Sequence, residues 1–225
     1  MTAMVGSVAE AGQRLPDVIV VGAGGHALVA IDVLRAAGRH VAGCVTSDGS
    51  AAADIGRLGV RLLGTEAALD GPLDAGTAHV FVAIGDNQTR RDVTGRLLDR
   101  GAQLVRAMSP RAVVSDHARV EDGALVMPGA VVNALATIGV GAIVNTGASV
   151  DHECTVGDFA HVGPGAAVAG SAVIGEGALI GMGSAIAPGR KIGAWSTIGA
   201  GATVVTDVAS GMVVVGTPAR EQPSQ

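Results

Sequence analysis

From Val114 onward a β-branched aliphatic residue returns at every sixth position: Val120, Val126, Val132, Ile138, Val144 and so on to Ile198 and Val204, without a miss. Two residues before nearly every anchor stands a small side chain, as at Ala118, Ala130, Ala148, Cys154, Ala166 and Ser184. Residues two apart on a strand share a face, so each unit sends one small and one branched side chain inward. Glycine falls three after many anchors, at Gly123, Gly141, Gly165 and Gly201 among others, and marks a turn in each unit. A six-residue period with a built-in turn predicts a β-helix whose stacked coils bury a continuous aliphatic core. Three units close a triangular coil of 18 residues, so the 90 residues from Val114 to Val204 make about five coils. Residues 18 apart stack in one column.

Before the repeat the pattern changes. Val18 to Val21 is a short apolar run followed by Gly22-Ala-Gly24-Gly25-His26, and a helical pattern runs from about Ala27 to Ala37. Further strands are expected at Val41 to Val45, at Val60 to Leu63 and at Val80 to Ile84, with a charged helix from about Gln88 to Arg100 and a last strand over Leu104 to Met108. Strands alternating with helices imply a small parallel sheet, a half-sized Rossmann-like unit. The domains are therefore expected at 17–108 and 109–220, with the break at Ser109-Pro110. The tail from Gly211 to Arg220 leaves the repeat, and the final five residues are expected to fray.

Composition narrows the function classes. With 35 glycines, two Phe, one Trp and no Tyr, the core has to be aliphatic. The stretch Gly123 to Val150 is uncharged over 28 residues, but Pro128, Asn133, Asn145 and its six-residue beat oppose a spanning helix. The first 16 residues carry Glu10 and Arg14 and no apolar segment long enough for a secretory signal. Two cysteines far apart, one in an inward slot, read as buried thiols of a cytoplasmic protein. A net charge of −5 without a basic run argues against nucleic acid.

Two places offer chemistry. Gly22-x-Gly24-Gly25-His26-Ala27 sits between a strand and a helix, where backbone N–H groups cradle a phosphate. The repeat occupies the place of a second mononucleotide half, so a nucleotide with one short diphosphate fits better than a dinucleotide. Asp48 and the Gly85-Asp86-Asn87 loop fall at the carboxyl ends of the next strands, where such a sheet binds its ligand. In the repeat, His152 stands at a coil corner between Asp151 and Glu153, with Ala134 and Gly170 stacked on either side, which leaves room for a substrate. A histidine beside a carboxylate has the make-up of a general base. No serine or cysteine is demanded as a nucleophile, so direct attack of an amine or hydroxyl on a thioester is expected. His161 precedes an anchor and points outward, half a coil from His152. One site using both histidines forms across a subunit interface, as in a trimer packed side by side.

The GxGGH-type first domain joined to the repeat, the Asp151-His152-Glu153-Cys154 corner, Phe159-Ala-His161-Val and the Val215-Gly-Thr-Pro-Ala tail together resemble the NeuD/PglD-like sugar acyltransferases. The likeness runs from about Val18 to Arg220. It implies a left-handed β-helix, acetyl-CoA as co-substrate, no metal, a homotrimer, and a nucleotide-linked amino sugar, a 4-amino-4,6-dideoxy sugar, as acceptor. By this resemblance His152 matches the catalytic base and Glu153 or Asp151 its helper. Gly24, Gly25, His26, Asp48 and Gly85 match positions around the nucleotide-sugar, and His161, Gly170, Met182 and Ala200 match acetyl-CoA contacts. Relatives show paired acids where this chain has Ser47-Asp48, which leaves the nucleotide base open. O-acetylation of a sugar hydroxyl by the same base is the alternative. A γ-carbonic-anhydrase-like zinc enzyme needs three converging histidines, and a non-catalytic scaffold gives the first domain no work to do.

Overall fold

The computed structural model describes residues 15–50 and 54–222. Residues 1–14, where no secretory segment is expected, and 223–225, within the stretch expected to fray, lie outside the described residues. The first domain contains β1 (Val18–Val21), α1 (Gly25–Ala36), β2 (Val41–Thr46), β3 (Leu62–Thr65), the short α2 (Asp70–Asp74), β4 (His79–Val82), α3 (Asn87–Asp99) and β5 (Gln103–Leu104). The strands form one parallel sheet in the order β3-β2-β1-β4-β5. Buried aliphatic side chains on both sheet faces account for this layering, with Ile31 and Leu34 of α1 on one side and Val93 and Leu97 of α3 on the other.

The strand expected over Leu104 to Met108 is broken in two. Gln103–Leu104 pairs with β4 in the first sheet, whereas Ala107–Met108 pairs with Leu125–Val126 and opens the β-helix. Met108 stands six before Val114, so the repeat begins one unit earlier than its β-branched pattern reads. The other end also differs from expectation. The tail returns to the stack, since Val213–Val215 pairs in parallel with Thr197–Ile198 and then antiparallel with Arg220–Glu221.

Between these ends the left-handed β-helix keeps its expected register, and each strand from Ala107–Met108 to Ala185–Ile186 pairs with the one 18 residues on. The anchors and small residues fill one interior column of buried side chains from Val120 to Ala219. Three faces result. The first runs from Ala107–Met108 through Leu125–Val126, Ile143–Val144 and His161–Val162 to the tail; the second from Val113–Val114 to Thr203–Val204; the third from Arg119–Val120 to Lys191–Ile192. Arg190 occupies an inward slot of the pattern, and its side chain escapes to lie 3.7 Å from Asp207.

The first domain docks on the first face. Leu125 and Ile143 point out of the coil yet are 0% and 1% exposed, because they belong to the same apolar cluster as Ala27, Ala30 and Ile31 of α1. The corner between the third and first faces receives the start of α3 (Asn87–Asp99). There Phe159 and Trp195 hold left-handed backbone conformations in a column with Gly141 and Gly177. A Cβ on Gly141 would come within 2.7 Å of the Phe159 ring, and one on Gly177 within 2.3 Å of Trp195, so each aromatic ring needs a glycine in the coil before it. Arg91 covers Trp195 from α3 at 4.9 Å.

Candidate active site

His152 lies at the corner between the second and third faces. Its Nδ1 is 3.1 Å from Glu153 Oε2, and both side chains are more than half exposed, at 57% and 58%. Glu153 is left-handed at φ 58°, and the turn brings its carboxylate beside the ring. Asp151 is engaged elsewhere. Its Oδ1 accepts the His152 backbone N–H at 2.7 Å and the Asn133 side-chain amide at 2.8 Å, and these bonds hold its carboxyl below the usual carboxylate range. Of the two acids left open by sequence, Glu153 therefore faces the imidazole and Asp151 braces the turn. Asn133 and Asp151 are 18 apart, so their pairing was available from the column rule.

Gly170 stacks on His152 as expected, but the space it leaves is taken by the ring itself. A Cβ at Gly170 would fall 2.5 Å from His152 Nε2. The glycine thus admits the imidazole into its pose, and the ring fills the space directly over Gly170.

The candidate crevice of the first domain lies at the carboxyl ends of β1, β2 and β4. Gly22, at φ 115°, is pressed against the Ala83 carbonyl, where a Cβ would come within 2.8 Å. Gly24 caps α1, and nothing lies within 4 Å of where a Cβ on Gly24 or Gly25 would stand. Ala27 and Leu28 donate their N–H groups to the Gly24 carbonyl at 2.9 and 3.3 Å, so the N–H groups of the first turn that precede the intrahelical bonds and face the turn are those of Gly25 and His26. Asp48 is committed to its own loop. Its carboxylate accepts Ser50 Oγ at 2.7 Å and Ser50 N at 3.0 Å, which lowers its pKa and keeps it ionised. Beside Gly85, a groove of about 230 Å³ runs between Asp86, Asn87 and Gln88 and the coil residues Gly177, Leu179, Trp195 and Thr197.

His161 and Gly85 come together. His161 points out of the coil, as alternation requires, into the junction with the first domain. Its Nε2 stands 2.9 Å from Asn145 Nδ2, whose amide is oriented by Thr146 N–H bonding to Oδ1 at 2.8 Å. The other ring nitrogen, Nδ1, therefore carries the proton and meets the Gly85 carbonyl. His26 packs 6.4 Å away, centroid to centroid, and its Nε2 is buried with no partner among the described residues. Burial, followed by the charge of Arg90, pushes both imidazoles down to about 4. His26 is thus a neutral ring inside the junction, whereas Met182 is 62% exposed at the corner between the first and second faces, in one column with Pro164 and Ala200. Arg90, Asn133 and Asn145 were given no role at the site by sequence reasoning, Asn87 entered only as part of the Gly85-Asp86-Asn87 loop, and only Asn133 left a periodic signal.

The dyad and the crevice are on opposite sides of one chain. The His152 corner is the vertex opposite the first face, on which the first domain rests. A single chain cannot bring the two together.

Comparisons with known proteins agree with this architecture. A family profile described as the PglD N-terminal domain matches residues 17–97, and one described as bacterial transferase hexapeptide (six repeats) matches residues 171–206. The chain is similar to GDP-perosamine N-acetyltransferase from Caulobacter crescentus, in a mutant form crystallised with CoA and GDP-perosamine. The identity is 41% over 93% of this chain and 98% of that one, with a TM-score of 0.88. It is similar also to the acetyltransferase domain of PglB from Neisseria gonorrhoeae in complex with acetyl coenzyme A, with 36% identity over 94% of this chain and 100% of that one, and a TM-score of 0.85. WeeI from Acinetobacter baumannii shares the fold at 22% identity, over 92% of this chain and 100% of that one, with a TM-score of 0.68. Comparison with curated protein sequences gives no match. With these likenesses along nearly its whole length, the chain belongs to the NeuD/PglD-like family of hexapeptide-repeat sugar N-acetyltransferases and is an acyltransferase.

Proposed function

We propose that the protein transfers the acetyl group of acetyl-CoA to the amino group of a nucleotide-linked 4-amino-4,6-dideoxy sugar, with His152 as the general base. The observation that carries this reading is the pairing of His152 Nδ1 with Glu153 Oε2 at 3.1 Å. It leaves Nε2 as the end that takes a proton at an exposed corner, and the carboxylate steadies the imidazolium that forms. The sugar amine attacks the thioester carbonyl carbon, a C–N bond forms and the C–S bond breaks. His152 Nε2 accepts the proton lost by the amine, and the CoA thiolate leaves and is then protonated.

The acceptor's diphosphate lies over the open first turn of α1 at Gly24 and Gly25, with Asp48, His26 and Gly85 around the nucleotide. Acetyl-CoA lies along the coil stack against Gly170, Met182 and Ala200, with His161 at the edge of that track. The crevice and the dyad occupy opposite sides of one chain, so the site is completed by a neighbouring subunit in a homotrimer packed side by side. The relatives crystallised with CoA and GDP-perosamine, and with acetyl coenzyme A, support both ligand classes.

The experiment is an incubation of the protein with acetyl-CoA and a panel of UDP-, GDP- and dTDP-linked 4-amino-4,6-dideoxy sugars, following thiol release. One amino sugar is expected to be acetylated, and His152→Ala to lose at least about a hundredfold in kcat. Turnover of sugar hydroxyls alone would replace N-acetylation by O-acetylation, and a fully active His152→Ala would remove the base.

A further inference from the structure

Arg90 is 2% exposed and has no carboxylate among its hydrogen-bond partners. All five of its N–H groups nevertheless find acceptors. Nε donates to the Gly141 carbonyl at 2.8 Å, Nη1 to Ile84 and Gly85 carbonyls at 2.9 and 3.0 Å, and Nη2 to Phe159 carbonyl and Asn87 Oδ1 at 2.7 and 2.8 Å. Asn87 continues the series by donating from Nδ2 to the Gly177 carbonyl at 3.0 Å. Gly141, Phe159 and Gly177 occupy one corner of three successive coils and are all left-handed. The two side chains therefore read three rungs of the β-helix with one guanidinium and one amide, and the same guanidinium grips the end of β4.

This arrangement is expensive. A buried cation without an ion pair keeps its desolvation cost, and an apolar side chain of similar size would dock α3 without it. Burial lowers the Arg90 pKa only to about 10, so the charge persists at neutral pH. Asp86, the nearest acid in charge, is occupied in capping α3 through Thr89 N and Oγ1 at 2.8 and 2.7 Å. What the planar fork supplies and a leucine cannot is fixed geometry across two domains. The loop it fixes is the one that carries Gly85, whose carbonyl is held a second time by His161. That loop borders the crevice at the carboxyl edge of the sheet.

We infer that Arg90, seconded by Asn87, is a positioning residue for the acceptor: it locks the Gly85–Asn87 loop to the coil register, so that the nucleotide-sugar is presented at a set place relative to the β-helix. The inference rests on the acceptor reading given above. It separates the two substrates, since Gly170, Met182 and Ala200 of the acetyl-CoA track lie at coil corners that Arg90 and Asn87 do not touch, and only His161 at its edge meets the latched loop.

Arg90→Met and Arg90→Lys are compared with the unaltered protein by steady-state kinetics below the Tm of each variant, and by calorimetric titration with GDP, UDP and dTDP. For Arg90→Met the acceptor KM is expected to rise at least about tenfold while the acetyl-CoA KM stays within about twofold. Arg90→Lys is expected to recover little, because one ammonium cannot span acceptors on both domains. An acceptor KM unchanged in Arg90→Met, or equal rises in both KM values, overturns the inference. Should Arg90→Met not fold, Asn87→Ala removes the Gly177 contact and the Arg90 brace together. It is expected to raise the acceptor KM about threefold, and no change there overturns the inference equally. Absence of turnover by the unaltered protein would count against the acceptor reading, whereas nucleoside diphosphate affinity unaltered by Arg90→Met would count against the latch.

Discussion

His152 and His161 stand nine residues apart in one repeat, both outside the coil, and have opposite surroundings. His152 is exposed at a free corner beside a carboxylate. His161 is roofed by the first domain, fixed by Asn145 and the Gly85 carbonyl, and held neutral. The repeat treats the two alike, since each is simply a position that does not point inward. The difference comes from what the outer surface is given to touch. One face of the triangle is covered by α1 and the corner beside it by α3, and the opposite vertex is left open, so the same residue type serves as a joint in one place and as a candidate base in the other.

The contrast can be broken most sharply at the open corner. His152→Ala is expected to cut kcat by at least about a hundredfold with little change in Tm, measured by thiol release and thermal unfolding. His161→Gln should do the reverse in kind, with a lowered Tm as its main effect, since a joint is lost and no base is.

At the roofed site the second expectation concerns pH. His26 and His161 have pKa values near 4 in the folded chain against an ordinary 6.5. Between these values the unfolded chain binds protons that the folded chain does not, so stability is full above about pH 6.5 and falls as pH drops toward 4. Near the middle of that window the slope should approach two protons, or about 2.7 kcal/mol per pH unit. Urea titrations between pH 7 and 4.5 test this, and His161→Gln should halve the slope.

A third expectation concerns the corner that receives α3. Gly177→Ala combines a left-handed backbone at φ 63° with a Cβ placed 2.3 Å from Trp195, and should cost roughly 2 kcal/mol in denaturant unfolding. The mildest test returns to the dyad. Gly170→Ala has no positive φ to strain it, but its Cβ would crowd His152 Nε2. It should lower kcat by about tenfold with stability nearly intact. If kcat is unchanged, the ring pose against Gly170 has no bearing on catalysis.

Periodicity made the interior of the β-helix legible almost residue by residue, because an inward slot recurs every six positions and any misfit would open a cavity or bury a charge. The one intruder, Arg190, was recognisable as having to escape. The crevice was legible as a strand-turn-helix glycine pattern, and the Asp151-His152-Glu153 corner as a cluster of chemistry-bearing residues. Less legible were the ends of the repeat. Met108 is not β-branched, and the returning strand at Val213–Val215 follows a break in the period. The choice of Glu153 over Asp151 was not legible either, since it depends on a left-handed turn and on Asn133 drawing Asp151 away. Arg90 gave no signal at all, being one arginine among several on a charged helix.

By itself the sequence determined the two architectures, the coil register and the identity of the exposed dyad's histidine, because each is set by local conformation or by a short repeat that can be counted. The tertiary structure alone decided which outer face of the coil is covered. That choice makes His161 a neutral joint, buries Arg90 against three rungs, and leaves His152 on the side away from the crevice. It depends on the docking of surfaces remote in sequence, where the Arg90 and Asn87 side chains meet backbone carbonyls 51 to 90 residues away, and no local pattern encodes such a meeting.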